Sequence, residues 1–215
     1  MTWSLNELEA ETRKALRGAG LSWGLAEEGG KAVRWLAAHG VDPVPALSDI
    51  LERHDRGEGV TTRFAEANGR WHATAPICPI TLGAALCDNA DRLSAVDFFA
   101  GPIARPLLIA PFAAFAARIL GRSLRLSTGD VQIAFDERGD PAGDLSAIDV
   151  SDVSDIHVRL NDVAAGAGAR AASTRGIAIA EGAWARVAPY VQRTYVPASE
   201  LSRRHGAGAG LLDND

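Results

Sequence analysis

The hydrophobic period changes near residue 60. Before it, apolar residues recur every three or four positions; after it, short runs alternate or form brief apolar blocks. Such a chain must pack a helical layer against a sheet. Residues 4–56 read as three helices. Ser4-Leu5-Asn6-Glu7 is a capping box, and Leu5, Leu8, Thr12, Ala15 and Leu16 follow at helical spacing until Gly18 and Gly20. The second helix opens at Ser22. Trp23, Ala26, Gly30, Val33 and Ala37 fall on one stripe, with Glu27, Glu28, Lys31 and Arg34 largely elsewhere, and Gly40 closes it. The third follows Asp42-Pro43 and carries Val44, Leu47, Ile50 and Leu51 before "HDRGEG".

From residue 60, "TRFAEANGRWHATA" predicts a hairpin turning at Asn68-Gly69, and "PITLGAALCDNADRL" a helix. "RPLLIA" reads as a buried strand, followed by a helix with Pro111 near its start. "RSLRLS" and "VQIAF" alternate as paired strands, and "SDIHVRL" alternates too, burying Ile156, Val158 and Leu160. "GIAIA" reads as a short strand and "EGAWARVAPYVQR" as a helix despite Pro189. The expected fold is α+β: one domain over 1–215, its helical part (1–56) packed on a mostly antiparallel sheet in a mixed part (60–215).

Composition narrows the partners. The formal net charge is −5 and no basic block occurs, which argues against nucleic acid. The start, "MTWSLNELEAETRK", is polar and acidic where a signal peptide has a basic start and an apolar run, so no signal peptide is expected. The longest apolar run, 106–120, is too short for a membrane span and is broken by Pro111 and Arg118. A cytosolic location is therefore expected, with Cys78 and Cys87 reduced.

Several motifs have simpler explanations. Gly20-Leu21-Ser22-Trp23-Gly24 fits the nucleophile-elbow spacing G-x-S-x-G, but a helix precedes Ser22 where an elbow needs a strand. Ser22 is expected to cap a helix, its hydroxyl facing the amide of Leu25 or Ala26. Gly166-Ala167-Gly168-Ala169-Arg170-Ala171 matches a dinucleotide fingerprint, yet the next strand signal leaves no room for the helix that must follow. Histidines and cysteines lack zinc spacing, so no metal and no cofactor are expected, and the acidic end, Asp213-Asn214-Asp215, reads as a tail. Cys78 and His72 stand too far apart along a strand to touch, so Cys78 is expected to be buried and inert.

Two segments point to a site. Glu27 and Glu28 begin a helix that also accepts Gly24, Gly29 and Gly30, each at about 1 kcal/mol relative to alanine. Close approach of another backbone or a ligand would explain them. Near the end, Arg193, Tyr195, Glu200, Arg203 and Arg204 precede Gly206, Gly208 and Gly210, a pattern able to hold a carboxylate or phosphate. The two segments are expected to meet. Glu27 or Glu28 would then be the acid/base, and Trp23, Arg193, Tyr195, Arg203, Gly206, Gly208 and Gly210 would bind substrate.

"SLNELEAETRKALRGAGLSWGLAEEGGKAVRWLA" and, much later, "RTYVPASELSRRHGAGAGLLDND" resemble an uncharacterised family, a domain of unknown function found mainly in proteobacteria. The resemblance runs from about residue 4 to the end. It implies no activity, but it places both terminal segments within the domain. The expected function is a small bacterial hydrolase or lyase acting on a small polar, anionic metabolite. The alternatives are a non-catalytic interaction protein or accessory subunit, and a small-molecule sensor. The expected partner is a small-molecule ligand, with neither nucleic acid nor membrane; a homo-oligomer is left open.

Overall fold

The structure is a computed structural model that describes residues 2–67, 69–148, 152–161 and 171–195. The chain is α+β. It begins with strand β1 (Thr2–Trp3), helices α1 (Leu5–Gly18), α2 (Trp23–Ala38) and α3 (Val44–Arg56), and the hairpin strands β2 (Ala65–Ala67) and β3 (Arg70–His72). Helix α4 (Pro79–Asp88), strand β4 (Phe98–Ala104), helix α5 (Ala110–Leu120) and strands β5 (Leu124–Thr128), β6 (Val131–Phe135) and β7 (Pro141–Ala142) follow. Strands β8 (Val153–Leu160) and β9 (Ile177–Ala178) and helix α6 (Glu181–Gln192) complete the described part.

The larger sheet has the order β2-β3-β4-β8-β5-β6-β7 and is antiparallel except between β3 and β4. Strand β8 enters between β4 and β5, so residues far apart in sequence form its middle. Alternation sends Leu124, Leu126, Ile133, Phe135, Ile156 and Val158 into the core, where α5 packs on β5 and β6 and the 3-10 turns Ala90–Ser94 and Pro106–Ile109 pack on β8. Leu160 is only half-buried. On the opposite face Arg125, Ser127, His157 and Arg159 are half-buried. Helix α2 packs on α4 and α5, α1 packs on α2, and α6 lies against α1 and α3. β1 and β9 form a separate two-stranded sheet.

The helix starts follow the sequence reading. Ser4 Oγ accepts from the Glu7 amide at 3.2 Å, and Ser22 Oγ accepts from the Leu25 amide at 3.4 Å. All five residues expected on the inner face of α1 are buried. Trp23 is a correction: it sits in the first turn of α2, 65% exposed, with the Arg17 guanidinium over its ring. "RPLLIA" is a second correction. Residues Pro106–Ile109 form a 3-10 turn leading into α5, because a fully buried apolar run has no period to separate strand from helix. Strand β4 was not anticipated. Its Gly101-Pro102 reads as a break, and the ladder to β8 shifts register there, between Ala100 and Ile103.

Glycines set the helix spacing. A Cβ on Gly30 would stand 3.0 Å from the Glu9 carbonyl oxygen, and one on Gly29 would stand 2.4 Å from Leu16 Cδ1. These two glycines admit α1, not a ligand, while Gly24 has nothing within 4 Å. At the other end of α1, a Cβ on Gly18 would reach the Tyr190 carbonyl oxygen of α6. An ion network ties α3 to the sheet: Arg53 Nε and Arg105 Nε donate to Asp49 Oδ2 at 2.7 and 2.8 Å, and Arg53 also pairs with Asp152 at the start of β8. Burial works to raise the Asp49 carboxyl, but the hydrogen bonds from Arg105 and Arg53 together outweigh it and hold it below its ordinary value.

Two stability measurements follow. Gly18→Ala should destabilise by about 1–3 kcal/mol in urea unfolding, because a backbone must move, whereas Gly24→Ala should stabilise by up to about 1 kcal/mol. The depressed Asp49 carboxyl adds stability above its unfolded pKa, and this is lost as pH falls through the folded one. Wild type should therefore lose more stability below about pH 4 than Asp49→Asn does, the remaining loss including that of Asp55, which Arg193 also holds low.

Candidate functional site

A cleft of about 1000 Å³ opens where α1, α2 and α5 converge. The N-terminal end of α1 contributes Ser4, Leu5, Asn6 and Glu9. Helix α2 contributes Glu28, Lys31, Trp35 and Ala38, which lie on one stripe at helical spacing, with Arg34 beside them. Helix α5 adds Phe115, Arg118 and Ile119, one turn of a single face, and Cys87 comes from α4. Residues Ala172–Thr174 close the end, pinned where the Ser173 amide donates to the Ala38 carbonyl at 2.7 Å.

The floor is apolar: Leu5, Trp35, Ala38, Phe115 and Ile119. Ile119 is 63% exposed, an unusual place for a large aliphatic side chain on a polar surface. Trp35 is held from behind by His39, whose ring centroid is 4.0 Å away and whose Nδ1 lies 2.8 Å from the Trp35 carbonyl oxygen. Charge lines the walls. Lys31 pairs with Glu28 at 2.7 Å and Arg34 with Glu9 at 3.4 Å, whereas Arg118 has no carboxylate partner among the described residues. The hydrogen bond to Glu28 raises the Lys31 ammonium above its ordinary value, against a smaller opposing effect of burial, so it is a fixed cation at neutral pH.

The cleft has no activated thiol. Burial, then the charges of Glu28 and Asp88, push the Cys87 thiol up to about 12. Cys78 is buried as expected, but it caps the start of α4 and does not lie on a strand. Its histidine neighbour is His54, with Nε2 3.3 Å from Sγ, and not His72. Burial raises the Cys78 thiol and lowers the His54 imidazole, so the pair is neutral and is not a thiolate–imidazolium dyad.

The residues expected to form one site occupy different places. Glu28 lines the cleft; Glu27 is exposed beside it. Arg193 grips Asp55 of α3 in a bidentate pair (2.5 and 3.0 Å), with its guanidinium over the Tyr190 ring. The Tyr195 hydroxyl accepts from Lys14 Nζ at 3.0 Å. Arg193, Tyr195 and Trp23 thus gather around the C-terminal end of α1, at Lys14, Arg17 and Gly18. Gly18 lies nine residues past Glu9, roughly 13 Å along the helix axis. No hydrogen bond, ion pair or ring contact joins Glu27 or Glu28 to Arg193 or Tyr195. Arg203, Gly206, Gly208 and Gly210 lie outside the described residues, as does the fingerprint-like 166–170.

Sequence reasoning missed Lys31, Arg34, Trp35 and Arg118. One signal was available. Arg118 interrupts the longest apolar run of the chain, and such a charge faces either a partner or an opening. The thiol chemistry can be checked directly. Alkylation of Cys87 by iodoacetamide, followed by peptide mass mapping, should be slow at neutral pH and should rise about tenfold per pH unit in alkali. Rapid modification near pH 7 would show an activated thiol in the cleft.

Residues 3–76 match the model of a family described as "Protein of unknown function (DUF3726)". No curated protein matches the chain. The matched part runs from β1 through β3, so it contains the α1 and α2 walls of the cleft but not α5 or Ala172–Thr174. The C-terminal stretch that also carried the resemblance lies beyond it. No helix among the described residues is long and apolar enough to cross a membrane.

Proposed function

We propose that this protein binds a small amphipathic anion, an apolar body bearing a carboxylate or similar group, in the cleft between α1, α2 and α5. One observation carries the reading: an apolar floor of Leu5, Trp35, Phe115 and Ile119 faces Arg118, a guanidinium with no carboxylate partner among the described residues. Concave apolar surface with a few convergent polar groups is the usual form of a small-molecule site. An arginine beside it favours a planar anion through paired N–H donors. The Lys31–Glu28 and Arg34–Glu9 pairs are exposed enough to open toward a ligand, since partly solvated pairs contribute only about 0–1 kcal/mol each.

Binding without chemistry, the behaviour of a sensor, fits these groups better than catalysis does. The Cys87 thiol is unactivated. A hydrolase or lyase reading keeps one supporting observation, the position of Glu28 in the wall; in that reading Glu28 is the acid/base. Glu28→Gln separates the two, because a sensor keeps ligand affinity with no turnover to lose.

Tryptophan emission supplies the test. Octanoate and 3-phenylpropionate should each give a saturable change that disappears in Trp35→Phe. Arg118→Ala should weaken binding by about tenfold, ~1.4 kcal/mol, and Arg193→Ala should leave it unchanged. Equal binding of the uncharged octanamide would overturn the anion requirement. No saturable response to any of the three would overturn the ligand reading of the cleft.

A further inference from the structure

The face of the larger sheet turned away from α5 carries an unusual pair. Arg125 of β5 stands directly opposite Arg159 of β8 in the antiparallel register. Directly opposed like charges destabilise a sheet, by up to about 1 kcal/mol. Neither arginine is neutralised by a carboxylate among the described residues. Arg125 instead donates from Nη1 to Gln132 Oε1 at 3.2 Å and from Nη2 to Asn161 Oδ1 at 2.9 Å. Two neutral acceptors hold the guanidinium in place without cancelling its charge. Nearby Asp97 is engaged by His157, whose Nε2 lies 2.7 Å from its Oδ2.

An aromatic platform adjoins the pair. His157 is two residues before Arg159 on β8, about 7 Å along the strand. Its ring stacks on Phe99 of β4 with centroids 4.0 Å apart and planes 11° from parallel, and Phe99 is 38% exposed. The ladder puts Arg70 of β3 beside Phe99 on one side of that stack and the small Ser127 of β5 beside His157 on the other, so the His157 side is the one that offers room for a planar ring. The face therefore offers a position for an anion and, one strand-step away, a position for a flat ring.

We propose that this sheet face binds a mononucleotide, with the phosphate between Arg125 and Arg159 and the base stacked on the Phe99–His157 pair. Guanidinium groups pair with phosphate through two N–H donors each, and bases stack on aromatic faces with little dependence on sequence. A nucleoside monophosphate matches the spacing because a single ribose separates its base from its phosphate. The acidic chain and the absence of a basic block favour a single nucleotide over a polymer, which requires a longer cationic track. The site shares no residue with the cleft, so each stands or falls alone.

Amide and arginine side-chain NMR during titration with adenosine 5′-monophosphate tests it. Shifts should centre on Arg125, Ser127, His157 and Arg159 and spare Trp35 and Arg118. Adenosine and inorganic phosphate should each bind at least about tenfold more weakly. Arg159→Gln and Phe99→Ala should each weaken binding by a similar factor. Arg159→Gln should also raise the Tm of the free protein or leave it unchanged, because it removes the opposed charges. This variant is therefore expected to fold. Absence of shifts, shifts centred on the cleft, inorganic phosphate binding as tightly as the nucleotide, or a single-stranded oligonucleotide binding far more tightly than the nucleotide would each overturn the proposal.

Discussion

Helix α1 touches its neighbours at backbone distance, and the rest of the helical layer is arranged around that contact. Gly29 and Gly30 let α2 approach within reach of Leu16 and the Glu9 carbonyl, and Gly18 lets the end of α1 meet the Tyr190 carbonyl of α6. A single added Cβ at Gly18 has nowhere to go. Interiors are packed too densely to absorb such a change locally. A neighbouring stripe of α2, with Glu28, Lys31 and Trp35, lines the cleft shared with α5. The cleft lies where α1 and α2 meet α5.

The sheet obeys a different constraint. Its central strand, β8, arrives after β4, β5, β6 and β7, and takes the place between β4 and β5. One face must then be apolar to meet α4 and α5, and it is. The other face is free of that demand. It holds Arg125 against Arg159, and Phe99 against a His157 that also engages Asp97. The Asp49–Arg53–Arg105–Asp152 network is the contrast. There every charge has a partner, and the network ties α3 to the end of β4 and the beginning of β8.

The arginine-rich composition divides by environment. Arg193 is consumed by Asp55, Arg53 and Arg105 by Asp49, and Arg186 by Glu52. These pairs hold elements together. Arg118 and the Arg125–Arg159 pair have no such carboxylate among the described residues, and each lies beside exposed apolar or aromatic surface. Count and spacing along the chain do not separate the two groups. Arg193 looked like a ligand residue because it stands near other arginines and a glycine run, but in space its nearest charge is a carboxylate of α3.

The sequence by itself determined the local elements. Capping at Ser4 and Ser22, the faces of α1 and α3, the β5–β6 pair and the α+β class depend on neighbours within a few residues, so period and caps disclose them. The glycines of α2 disclosed that something approaches closely. Only the tertiary structure decided that the visitor is α1. It likewise turned "RPLLIA" into a helical turn, and it inserted β4 through a Gly-Pro bulge. Long-range pairing overrides local preference where every residue is buried and no period remains. Both candidate sites belong to this second class. Glu28 and Arg118 line one cleft, and Arg125 stands opposite Arg159 in a ladder, because elements distant in the chain pack side by side.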